Sequence, residues 1–125
     1  MTRFLSTLIL TGACASLVLS CGGGDSGVSA AAKAKGEEIF ATVCSTCHGK
    51  SGLGDGPGAA ALDPKPRNYT DKEWQASVTD QHIKDIIVQG GAAMGLSTGM
   101  PAHPQFANDP EALDGLVWKV RSFAR

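Results

Sequence analysis

Apolar positions in this chain recur at the three-to-four-residue spacing of helices, and no stretch alternates as a half-buried strand does. Ala31 to Thr42 is built from good helix formers, with Ile39, Phe40 and Val43 running on from it. Thr79 and Asp80 open a second stretch, in which Ile83, Ile86 and Ile87 share a face and Gly90-Gly91 supplies a left-handed stop. A third begins near Pro110, a residue suited to a first helical position, and turns Leu113, Leu116, Val117, Val120 and Phe123 inward. At 100° per residue Trp118 stands about 160° from the centre of that face, so the pattern places it near the surface. Thr70, Asp71, Lys72 and Glu73 read as a capping box, with Thr70 as the cap, ahead of a short helix at Trp74.

Gly36 interrupts the first helix four residues before Phe40. A mid-helix glycine costs about 1 kcal/mol relative to alanine, so close approach of another backbone is the useful explanation for it. The expected fold is all-α, three to five short helices joined by glycine and proline loops.

The first twenty residues have another character. A single positive charge at Arg3 precedes an apolar run broken by Ser6, Thr7, Thr11, Gly12 and Ser16. That is the form of a secretory leader, and about 16 interrupted residues fall short of the roughly 20 that span a bilayer. Val18, Leu19, Ser20 and Cys21 resemble the lipobox of bacterial lipoproteins, in which the cysteine is lipidated and becomes the mature N-terminus. Residues 21–30 then form a Gly/Ser tether reaching about 16–19 Å on average. Residues 31–125 make one domain without internal repeat. The expected product is exported, faces the periplasm and is held to a bacterial membrane through acylated Cys21.

Charge and cysteine use narrow the chemistry further. A formal net charge of −1, with no basic stripe or aromatic platform, argues against a nucleic-acid partner. Of four cysteines, Cys14 departs with the leader and Cys21 takes lipid, leaving Cys44 and Cys47. No thiol remains for a structural disulfide, so a small domain in an oxidising compartment needs another staple.

Cys44, Ser45, Thr46, Cys47 and His48 supply one: a C-x-x-C-H run, the mark of c-type haem attachment, in which two thiols bond the macrocycle's vinyl groups and the histidine ligates iron. Zinc would need a second ligand pair, and His82 and His103 stand apart from one another and from any further cysteine. A thioredoxin-like redox pair would follow a strand, and none precedes Cys44. The glycines at 49, 52, 54, 56 and 58 lack both phosphate-loop spacings, and passage of the chain close to a flat macrocycle explains them better.

Met94, Met100, His82 and His103 are the candidates for iron's sixth position. Gly99-Met100-Pro101 can present a thioether on a close-lying, stiff segment, which favours Met100; His103, three residues later, is its competitor. Methionine there raises the reduction potential relative to histidine.

These residues resemble class I bacterial cytochromes c, specifically small single-haem, lipoprotein-type members. The likeness runs from about Lys35 to Phe123. It includes Gly36 and Phe40, C-x-x-C-H-G at 44–49, Gly54-Asp55-Gly56-Pro57, Thr79-Asp80, Gly90-Gly91, Met100-Pro101-Ala102 and Val120-Arg121-Ser122. It implies terminal helices crossing near Gly36 and Phe40, His48 and Met100 as the axial ligands of one covalent haem c, and a Pro57 carbonyl accepting from His48. Lys119 departs from the family, which usually carries an aromatic there, and this puts the crossing in question. Arg67, Tyr69 and Trp74 are candidates to pair with haem propionates. The implied role is that of a monomeric single-electron carrier, not an enzyme, meeting donor and acceptor redox proteins. The other readings are a fixed subunit of a respiratory complex and a gas-binding haem protein with an open sixth position.

Overall fold

Ser29 starts the first helix: its hydroxyl accepts from the Ala32 amide at 3.0 Å, and α1 follows over Ala30–Ile39. The computed structural model describes residues 27–125; the leader, Cys21 and most of the tether lie outside the described residues. The helix does not stop near Thr42. It widens into a π turn over Phe40–Cys44, where the Ser45 amide reaches back to the Phe40 carbonyl, and continues as α2, Ser45–His48. Hydroxyls on this stretch compete for helix carbonyls: Thr42 donates to Glu38 at 2.8 Å and Ser45 to Ala41 at 2.7 Å. Such back-bonding loosens a helix, and wide turns of this kind occur at functional sites.

Three further helices complete the described chain, together with single 3₁₀ turns at Pro57–Ala61 and Pro104–Asn108; no strand occurs among the described residues. The first is α3, Lys72–Ser77, and its cap is Asp71, not Thr70. The Asp71 carboxylate accepts from the Glu73 and Trp74 amides, while the Thr70 hydroxyl turns back to Asn68 at 2.8 Å. Both residues can cap; the Asn68 side chain has already taken Thr70. Thr79 caps α4, Asp80–Ala93, and Asp109 caps α5, Pro110–Ser122.

The stop expected at Gly90-Gly91 is a kink instead. Gly90 has φ 79° and ψ 168°, after which the helix resumes for a further turn.

Helices α1 and α5 cross where two glycines meet. A Cβ on Gly36 would fall on the Gly115 carbonyl, and one on Gly115 would fall on the Ala32 carbonyl, so the backbones touch directly. Around this point lies the core: Phe40, Tyr69, Ile83, Ile87, Leu113, Leu116, Val117 and Val120. Lys119 does not disturb the crossing. Its ammonium lies 3.7 Å from Glu37 on α1, and Phe123 carries the aromatic contact, its ring 5.1 Å from that of Phe40. Trp118 is half-buried, not at the surface as its angle on the helix suggests, because Lys33 and Arg125 lie against its ring at 5.4 and 5.8 Å. The contact covers its Nε1, which has no hydrogen-bond partner among the described residues.

Arg121 ties α5 to the other helices. Its guanidinium donates to the Gln75 carbonyl at 2.6 Å, the Gln75 amide oxygen at 2.9 Å, the Val78 carbonyl at 2.8 Å and Asp80 at 2.8 Å.

Candidate haem site

The widened turn delivers Cys44 at its end, and the single turn of α2 then presents Cys47 and His48. Both cysteines are half-buried and unbonded to each other. Burial, and secondarily the neighbouring Cys47, push the Cys44 thiol up to about 11, so it stays protonated at neutral pH.

His48 is buried, 7 % exposed, and its Nδ1 lies 3.2 Å from the Arg67 carbonyl. A carbonyl can only accept, so Nδ1 carries the proton and Nε2 holds a lone pair. Burial lowers the imidazole's pKa, with the Arg67 bond opposing, which keeps the ring neutral at pH 7. A neutral imidazole with one nitrogen committed to a carbonyl is the form that ligates a metal, and that bond raises its basicity.

The acceptor is thus Arg67 and not Pro57. Pro57 is exposed and opens the 3₁₀ turn that packs on α2. The glycine loop that brings it there is fitted to protein: Cβ atoms on Gly52, Gly54 and Gly56 would strike the Phe123 ring, the Pro66 carbonyl and the carbonyls of Ser45 and Thr46. Protein neighbours by themselves therefore require these three glycines.

Tyr69 is the residue whose place the sequence conceals. It is buried, with its ring stacked on His48 at 4.5 Å between centroids and its hydroxyl 3.1 Å from Nε2, so it faces the imidazole. Burial raises its phenol well above the ordinary range, and the hydroxyl remains a donor. Arg67 presents its carbonyl inward and its guanidinium to the face of Trp74, 5.7 Å away. The nearest sequence signal was the pair of prolines at 64 and 66, which stiffen the approach to Arg67.

Met100 is half-buried and held by α4. With Gly90 turned out of the helix, the Gly91 amide donates to the Met100 carbonyl at 3.0 Å, and the Ile87 carbonyl accepts from His103 at 3.0 Å. Two backbone groups four residues apart in α4 are thereby given to the 100–103 strap. A Cβ on Gly90 would meet the Ala102 amide at 2.7 Å, so the strap lies against the kink. The His103 ring turns to Phe106 and Gln105. His82 sits in the first turn of α4, half-buried, and Met94 ends that helix.

The donor set of two thiols, a neutral imidazole and a thioether has the composition that a covalently attached haem requires, and the buried, tautomer-fixed His48 suits it. The family model described as Cytochrome c matches residues 33–117, a span containing the whole motif and the strap. No curated protein and no solved structure matches the chain. With its helical fold, its paired cysteines and a match over most of its length, the chain belongs to the cytochrome c family, whose covalent haem c and haem-based electron transfer it shares.

Proposed function

We propose that the protein is a one-electron carrier with His48 Nε2 and the Met100 thioether as axial ligands, working on the periplasmic side of a bacterial membrane to which acylated Cys21 holds it. The observation that carries this reading is the Nδ1–H bond from His48 to Arg67, which leaves the lone pair on Nε2, directly after the cysteine pair. The bound haem supplies an iron that cycles between Fe(III) and Fe(II). The chain's own part is to hold that iron's surroundings still. His48 is fixed by Arg67 and Tyr69, and the segment carrying Met100 is placed against α4 by the bond its carbonyl accepts from the Gly91 amide. With both positions filled no substrate binds iron, and the protein carries electrons without catalysing a reaction. Redox partners of this family meet it briefly, through small interfaces.

The test is the optical spectrum of the oxidised exported protein. It shows the weak far-red sulfur-to-iron charge-transfer band, and Met100→Ala abolishes it. A band retained in that variant assigns the sixth position to another residue, and a Met100→Ala spectrum identical to the parent's indicates an open site. Mass spectrometry of the mature N-terminus finds acyl chains on Cys21; an unmodified N-terminus makes the carrier freely diffusing.

A further inference from the structure

We propose that Tyr69 is a positioning residue for the axial imidazole: its ring clamps the rotation of His48, and its hydroxyl, lying over the ring face at Nε2, draws electron density from the ligand and raises the reduction potential. The proposal deepens the reading of His48 as a ligand and rests on it.

The geometry separates two arrangements that a 3.1 Å contact alone would leave equivalent. A hydroxyl in the imidazole plane would occupy the Nε2 lone pair and compete with a metal. One above the plane would leave that lone pair open. Two rings lying side by side in one plane need centroids about 6 Å apart at ordinary carbon contact. Here the centroids are 4.5 Å apart and the planes differ by 16°, so one ring lies over the other. The hydroxyl, attached at the rim of the upper ring, therefore lies over the imidazole face, 3.1 Å from Nε2. The lone pair points past it, in the ring plane, where it would be open to a bound iron.

Tyr69 is itself fixed on every side. Its amide donates to the Gly52 carbonyl at 2.7 Å and its carbonyl accepts from Gln75 at 2.8 Å. The rings of Trp74, Phe123 and Phe40 surround it at 5.5, 6.2 and 6.3 Å. An aromatic so enclosed cannot yield when the imidazole turns, so the ring plane of His48 is set by packing. The two polar contacts to His48 act in opposite directions. The Arg67 carbonyl, accepting from Nδ1–H, enriches the imidazole and favours Fe(III). The Tyr69 O–H, directed at the π face, is a weak donor that depletes it and favours Fe(II).

The experiment uses the exported haem-bearing protein and its Tyr69→Phe and Tyr69→Leu variants. Tyr69→Phe keeps the ring and removes only the hydroxyl. The Fe(II)/Fe(III) ratio at fixed potential falls about two- to threefold, a drop in midpoint of roughly 20–30 mV at 59 mV per tenfold for one electron. The spread of the haem-methyl resonances in the oxidised paramagnetic NMR spectrum, which reports the imidazole's orientation, stays as in the parent. Tyr69→Leu removes the clamp as well, and the spread changes. A Tyr69→Phe midpoint that is unchanged or higher overturns the electronic part, and an unchanged methyl spread in Tyr69→Leu overturns the clamp. Failure of the ligation reading is seen separately, as a parent lacking the far-red band or the low-spin iron of two filled positions. The Tyr69→Phe variant retains all packing, so a fold lost in Tyr69→Leu still leaves the hydroxyl decided.

Discussion

Gly36→Ala tests the helix crossing on which the rest of the fold depends. The new Cβ would land on the Gly115 carbonyl, well inside contact distance, and what it strikes is backbone, which cannot rotate away as a side chain can. To restore ordinary separation α1 and α5 must part by about 1 Å, and a gap of that size forfeits a quarter to a half of the contact energy across it. A fully buried side chain such as Phe40 or Leu116 contributes about 1.5–3 kcal/mol, so losing part of two or three of them costs about 2–3 kcal/mol, within the range for overpacked cores. For a domain of this size that lowers the melting temperature by roughly 10–20 °C. Thermal unfolding of the haem-bearing protein, followed by far-ultraviolet circular dichroism, reads it directly, since a covalent cofactor cannot be lost during the melt. Gly27→Ala is the control, because nothing lies within 4 Å of its Cβ position. A Gly36→Ala melt matching that control would refute the glycine-on-glycine account.

Arg121→Ala removes four hydrogen bonds joining α5 to Gln75, Val78 and Asp80 and lowers the denaturant-derived stability by about 2–3 kcal/mol; Arg121→Lys recovers less than half, since an ammonium cannot fork across several acceptors. Gly90→Ala costs about 1–3 kcal/mol in backbone strain and pushes on the Ala102 amide, so the far-red band weakens; an undiminished band would separate the kink from the ligand. The hydrogen bond from Lys35, and then the Ala112 amide, hold the Asp109 carboxyl below its usual range, and the same bond raises Lys35. The carboxylate's contribution is therefore present above the usual carboxylate range and disappears as pH falls through its lowered value. That of the lysine is present below the usual lysine range and disappears as pH rises through its raised value. In urea titrations Lys35→Met is slightly less stable than the parent at neutral pH, and the two converge in acid; a gap that persists in acid would assign the effect to packing.

Patterns set by local chemistry could be read without the fold. The inward face of α5 follows from helical spacing, and Leu113, Leu116, Val117 and Val120 are all buried. Gly36 could be read too, because a glycine inside a good helix former's territory needs a reason, and Gly115 is that reason. The cysteine pair and His48 are contiguous, so their chemistry needs no tertiary information. What escaped was whatever long-range packing decides. Arg67 offers a backbone carbonyl, which every residue has, so no side-chain pattern marks it out from Pro57. Tyr69 looks like any surface-proximal aromatic until Gly52, Gln75 and Phe123 enclose it. At Thr70 two adjacent residues were competent to cap, and Asn68 settled the choice from behind. Trp118 followed its angular position but acquired cover from Lys33 and Arg125, whose long side chains reach where a helical wheel shows only solvent.

The kink in α4 bears on how firmly the proposed sulfur ligand would be retained. The amide of Gly91 and the carbonyl of Ile87 are the pair a straight helix would join to each other, and here both are lent outward to Met100 and His103. If the segment carrying the thioether swung away, Gly90 could relax to ordinary helical angles and the lent pair would close on itself, leaving no orphaned backbone group behind. Backbone hydrogen bonding thus sets almost no barrier to detachment. With Met100 ligated as proposed, retention would fall to the sulfur–iron bond and to side-chain contacts, which makes this edge of the domain the place where ligand exchange would begin under heat or denaturant.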